Sequence, residues 1–86
     1  MRVMKRGKIL WGMYEIEETI TKWATEGGIT DLRVVTYEYE KGVLYIYTVR
    51  PDYMIGVGGS LIDKYSQIFK ENIRDFKKVE IEGIYY

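Results

Sequence analysis

"LYIYTVRPDYMIGVGGSLIDKY", residues 44–65, is the stretch from which the rest of the chain can be ordered. Its first part is rich in β-branched and aromatic residues, as strands are. Pro51, the only proline, stops that strand. Asp52 to Ile55 is short and reads as a helical turn. Gly56, Gly58 and Gly59 then fall within four positions. A loop of this kind closes a turn, or it lets a ligand approach the backbone. From Ser60 to about Ile73, Leu61, Ile62, Tyr65, Ile68, Phe69 and Ile73 recur at helical spacing, with Ser60 and Asp63 placed as a weak capping box.

The neighbouring segments fit around this centre. Met13, Ile16, Ile20, Trp23 and Ala24 form one helical stripe from about Met13 to Glu26. Gly27-Gly28 follows as a stop, because glycine accepts the left-handed conformation at a helix end. Leu32 to Glu40 reads as a strand, and Lys41-Gly42 as a tight turn into Val43 to Val49. A two-residue turn sets Glu40 opposite Val43 and Tyr37 opposite Ile46. Val35, Tyr37, Tyr39, Leu44, Ile46 and Thr48 then share one face. Val34, Thr36, Glu38, Tyr45, Tyr47 and Val49 share the other. Phe76 to about Ile84 alternates as a half-buried strand does. A helical crossover joins the second and third strands, which predicts that they are parallel. The expected fold is α+β, with element order α-β-β-α-α-β. Helices pack on one face of a three-stranded mixed sheet, as a single domain over 12–86 behind a basic arm, 1–11.

Composition narrows the chemistry. The 86 residues include no cysteine and no histidine. Disulfides, thiolate metal sites and imidazole acid–base catalysis are therefore absent from the repertoire. No paired-acid motif organises the carboxylates, so the expectation is a non-enzyme with no cofactor and no metal. No apolar run is long enough to span a bilayer. The start of the chain is basic, and its apolar stretch is too short for a signal peptide, which gives a cytoplasmic expectation. Thirteen basic residues balance thirteen acidic ones. That weighs against binding nucleic acid by bulk electrostatics, but not against a local groove.

The glycine loop fails two phosphate-binding patterns. The dinucleotide fingerprint needs a third glycine where Leu61 stands, and no Gly-Lys-Ser or Gly-Lys-Thr occurs in the chain. Ile55-Gly56-Val57-Gly58-Gly59-Ser60-Leu61-Ile62 does match Ile-Gly-x-x-Gly-x-x-Ile. With Ile46, Thr48, Arg50 and Pro51 in register upstream, the chain resembles the type II KH domain of the bacterial small-subunit ribosomal KH protein family. "GGITDLRVV", residues 27–35, is similar to that family's entry into its first strand. The resemblance covers about residues 12 to 84.

What it implies is single-stranded nucleic-acid binding, RNA before DNA, through a GXXG loop that clamps the sugar–phosphate chain. The implied contacts are Arg50, Met54, Ile55, Gly56, Val57, Gly58, Gly59, Ser60, Leu61 and Lys64, with strand-edge amides near Val79. The sequence departs from the family's pattern in three places. Val57 and Gly58 stand where the family usually has a lysine or arginine. Asp52 replaces a glycine, and the turn Glu40 to Val43 is very short. Against this stands a bland reading, a structural turn kept without binding. A second functional reading is a protein-interaction module on a degenerate KH scaffold, such as a phage-encoded, host-directed protein. It would use Tyr45 and Tyr47 on the open sheet face.

Overall fold

A computed structural model of the chain describes residues 11–84. The order of elements is α1 (Met13–Glu26), β1 (Val35–Glu40), β2 (Val43–Thr48), α2 (Pro51–Ile55), α3 (Ser60–Asn72) and β3 (Lys78–Gly83). Short 3-10 turns precede β1 at Leu32–Val34 and join α2 to α3 at Val57–Gly59. The sheet runs β1-β2-β3. β1 and β2 are antiparallel, and β2 and β3 are parallel. The expected mixed three-stranded sheet, its topology and its hairpin register are all present. Tyr37 faces Ile46, and Glu40 faces Val43.

Each element follows from its local chemistry. α1 starts at Gly12, whose N–H donates to Glu15 Oε1 at 2.9 Å, half of a capping box. It ends at Gly27, which keeps right-handed helical angles. The left-handed residue is the next one, Gly28, at φ +98°. Pro51 occupies the first turn of α2, where its missing N–H costs nothing. Residues Leu32 to Val34 differ from the expected strand. Asp31 accepts from the Arg33 backbone N–H and also from its guanidinium, which winds these residues into a turn. The turn breaks the period-two phase, so Val34 packs against the core instead of joining the outer sheet face.

The core lies between the helices and one face of the sheet. Leu44, Ile46 and Thr48 alternate inward from β2 and are fully buried. Trp23, Phe69 and Met54 fill the opposing layer. Trp23 stacks on Tyr65 at 5.1 Å between centroids, and Trp11 meets Phe69 edge-on at 5.8 Å. The indole N–H of Trp23 donates to the Met54 carbonyl at 2.7 Å, a buried bond that ties α1 to α2. At the outer edge of that joint, Glu26 of α1 accepts from Lys64 Nζ at 2.8 Å and from the Tyr65 hydroxyl at 2.6 Å. No helix among the described residues is long and apolar enough to cross a membrane.

Candidate nucleic-acid interface

Between α2 and α3 the backbone makes a sharp excursion. Gly56 (φ +77°), Gly58 (φ +62°) and Gly59 (φ +82°) all lie in the left-handed half of conformational space, which side chains disfavour. The three glycines differ in what surrounds them. A Cβ on Gly56 would sit 2.9 Å from the Leu61 backbone nitrogen and from its Cγ, so Gly56 is required by packing. Beside Gly58 there is nothing within 4 Å, and Gly59 has only Asp63 and Ile62 side-chain atoms at 3.9 Å. Val57, at the tip, is 93% exposed. The loop thus carries bare, accessible backbone at Gly58 and Gly59 and one apolar side chain presented to solvent.

Hydrogen bonds within the loop hold this shape. The Gly56 N–H donates to Asp52 O at 3.0 Å, and the Gly59 N–H to Gly56 O at 3.2 Å. α3 begins directly after it, with Gly59 as N-cap and no side-chain cap. The expected Ser60–Asp63 capping box is therefore not formed. Ser60 is already the first helical residue, one position too late to cap. The Ser60 N–H donates to Val57 O, so what the loop meets is the positive end of the helix dipole, with the Asp63 carboxylate in the same turn.

Arg50 stands at the other end of α2 and is exposed. Its backbone N–H donates to the buried Thr48 hydroxyl at 3.0 Å, which fixes the turn into Pro51. Its guanidinium lies 5.9 Å from the centroid of the Tyr53 ring. Arg50 and Tyr53 line a shallow cleft of about 380 Å³ with Gly28, Thr30 and Asp31. The cleft lies at the start of α2 and the glycine loop at its end, a rise of about 7.5 Å along the helix.

Other sequence-derived candidates are placed differently. The Met54 side chain is fully buried, so the apolar contact expected from it is unavailable. It sits on the inner side of a one-turn helix, in the same core cluster as Trp23. Ile55 and Leu61 are half-buried, and Leu61 also packs against the core. Lys64 is bound to Glu26, which neutralises it on the α1–α3 joint rather than leaving it free beside the loop. Lys64 and the Tyr65 hydroxyl together hold the Glu26 carboxyl below its ordinary range. Val79 is buried through its side chain, while the ladder turns its amide away from β2. Lys78 and Ile84 donate to Gly42 O and Thr48 O. The alternation of a parallel ladder then turns the amides of Val79, Ile81 and Gly83 to the free edge of the sheet.

Tyr45 and Tyr47 lie half-buried on the sheet face away from the helices, as expected. Their surroundings were not foreseen. Glu38 and Glu80 flank Tyr45 on the adjoining strands, and Thr36 and Glu82 flank Tyr47. The Tyr47 hydroxyl donates to Glu38 Oε1 at 3.1 Å. Burial first, then that bond and the Glu82 charge, raises the Tyr47 hydroxyl above its ordinary pKa. A face lined this way repels phosphate, so base stacking is not what it offers. The signal was present in the alternation of glutamates through "YEYE" (37–40) and "VEIE" (79–82). The basic residues Arg2, Lys5, Arg6 and Lys8 of the arm lie outside the described residues. Among the described residues no group of His, Cys, Asp or Glu is arranged to hold a metal ion. Comparison with family models, with curated proteins and with solved structures finds no match.

Proposed function

We propose that this chain is a KH-type module of the type II arrangement that binds single-stranded nucleic acid, RNA in the first place, without catalysis. The observation that carries the reading is the open space at Gly58 and Gly59. Packing accounts for Gly56, but the side of Gly58 where a Cβ would stand has nothing within 4 Å, and that of Gly59 only the Asp63 and Ile62 side chains at 3.9 Å. A sugar–phosphate chain has room to approach these backbone atoms, with the start of α3 behind them. Arg50 supplies an exposed charge at the far end of α2, and Tyr53, 45% exposed, supplies a ring on which a base can stack. The free edge of β3 offers the amides of Val79 and Ile81 to a base edge. Gly56, Val57, Ser60 and Leu61 shape the clamp, and Ile55 supports it from beneath. Met54 and Lys64 hold the scaffold.

With few cations near the loop, few phosphates are neutralised. The affinity should fall with salt at a log–log slope near −0.7 to −1.4, at about −0.7 for each phosphate of a single strand. The test is an amide NMR titration with a short degenerate single-stranded RNA pool and a matching DNA pool. Shifts confined to Arg50 through Leu61 and to β3 support the reading. The Val57→Asp, Gly58→Asp double variant should abolish them. Both positions are open to solvent, and aspartate tolerates the left-handed region, so the variant stays folded. Absence of shifts at high RNA and DNA excess overturns the reading.

A further inference from the structure

The outer face of the sheet has a chemistry of its own, independent of the glycine loop. The pleat sends Glu38 and Glu40 of β1, Tyr45 and Tyr47 of β2, and Glu80 and Glu82 of β3 to the side away from the helices. Lys78 is the one cation that the three strands place there, and it is bound to Glu80 at 2.6 Å. Glu38, Glu40 and Glu82 have no cationic partner among the described residues. Two rings thus lie along the middle strand with carboxylates on both adjoining strands. Strands stand about 4.8 Å apart, so Glu38, Glu80 and Glu82 each border a ring, while Glu40 lies opposite Val43.

We infer that this face docks an extended, arginine-bearing segment of a partner protein. A guanidinium over a tyrosine ring gains a cation–π contact, and its fork reaches a flanking carboxylate. Tyr45 and Tyr47 are two residues apart on a strand, a spacing of about 6.7 Å. An extended segment with arginines at alternate positions repeats at the same distance and presents both to one side. Lysine has the charge but neither the planar stack nor the fork, so it binds less well. The same carboxylates exclude nucleic acid.

The test titrates labelled full-length chain with the capped peptide GRTRTRG. The controls are the same peptide with citrulline for arginine, and a short single-stranded RNA. The arginine peptide should give saturable shifts at residues 36–40, 43–48 and 78–82 and at the Tyr45 and Tyr47 rings. The Glu38→Gln, Glu82→Gln variant should lose roughly tenfold in affinity, since an exposed ion pair contributes about two- to fivefold. Both side chains are exposed, so its thermal unfolding should match wild type. Tyr45→Thr should weaken binding, while Tyr45→Phe keeps it. The Val57→Asp, Gly58→Asp variant should bind the peptide unchanged, which separates failure at the loop from failure here. Equal binding of the citrulline peptide overturns the inference. So does RNA that shifts the same amides, self-association of the free chain through this face, or no saturable shift.

Discussion

Gly27→Ala should be the most damaging one-carbon change in the protein. Gly27 closes α1 at φ −77° and ψ −8°, angles that any residue adopts, so backbone strain plays no part. The constraint is proximity. A Cβ there would sit inside van der Waals contact of the Tyr53 carbonyl oxygen, 3.0 Å from the Tyr53 carbonyl carbon and 3.4 Å from Leu61 Cδ1. The obstacle is the backbone of α2, which cannot turn aside as a side chain can. Separating α1 from α2 also stretches the buried bond from the Trp23 indole to Met54 O. Overpacking costs about 1–3 kcal/mol, and a buried carbonyl left unpaired costs about as much again. Alanine returns about 0.5–1 kcal/mol through its better helix propensity. The net is a loss of about 2–4 kcal/mol, or about 10–25 °C in Tm for a domain of this size. Urea unfolding followed by tryptophan fluorescence and far-UV dichroism measures it, and Trp23 reports the disturbed joint directly. Gly28→Ala is the control. There φ is +98° but the nearest atom outside the turn is 3.9 Å away, so the cost is conformational, about 1–2 kcal/mol. A Gly27→Ala protein within about 1 kcal/mol of wild type would refute the close helix–helix approach.

Three further outcomes are expected. Thr48→Val keeps the buried shape but removes the acceptor for the Arg50 N–H. It should cost about 1 kcal/mol in denaturant titration and speed amide exchange at Arg50. Glu26 is held below its ordinary value of 4.5 by Lys64 first and Tyr65 second. Its contribution is therefore complete above pH 4.5 and lost as pH falls through the lower folded value. Tm against pH should show this acid limb, and Glu26→Gln should flatten it. Tyr39 and Tyr65 are pushed up to about 12, chiefly by burial and then by their bonds to Asp75 and Glu26. Their contribution is complete below the ordinary value of 10.0 and lost as pH rises toward 12. Phenolate absorbance should show these two ionising last, and Glu26→Gln should bring Tyr65 down.

Much of the frame is legible in the sequence because it depends on short-range periods. The stripe of Ile16, Ile20, Trp23 and Ala24, the alternation of β2 and the two-residue turn at Lys41-Gly42 each act within a few residues, although Met13, first in that stripe, is 61% exposed. Together they fix helix, strand and register. What lies between elements is less legible. No local pattern shows that Trp23 seeks the Met54 carbonyl, a partner 31 residues away. Met54 thus reads as part of a binding loop until the one-turn length of α2 rotates it inward. Lys64 reads as a phosphate contact until Glu26, 38 residues away, takes its charge. The turn at Leu32–Val34 is hidden for another reason. The residues are good strand formers, and the Asp31–Arg33 bonds override that preference.

Net charge misleads in a similar way. A balance of thirteen against thirteen describes a weak average field. The pleat then sorts that balance by position. Because strand side chains alternate with period two, glutamates at 38, 40, 80 and 82 fall on one face although they come from two distant segments. Trp23, Phe69 and the apolar side chains of β2 claim the other face. The loop side keeps an exposed arginine and glycine backbone beside Asp52 and Asp63, while the outer sheet gathers four glutamates. On the two proposals above, a ligand rich in phosphate and a ligand rich in guanidinium would meet different surfaces of one small domain. Phosphate repulsion at the sheet would make the two proposed sites separable by salt and by charge reversal. Lys in place of Glu38 and Glu82 should remove discrimination against RNA on the outer face while leaving the loop's response unchanged.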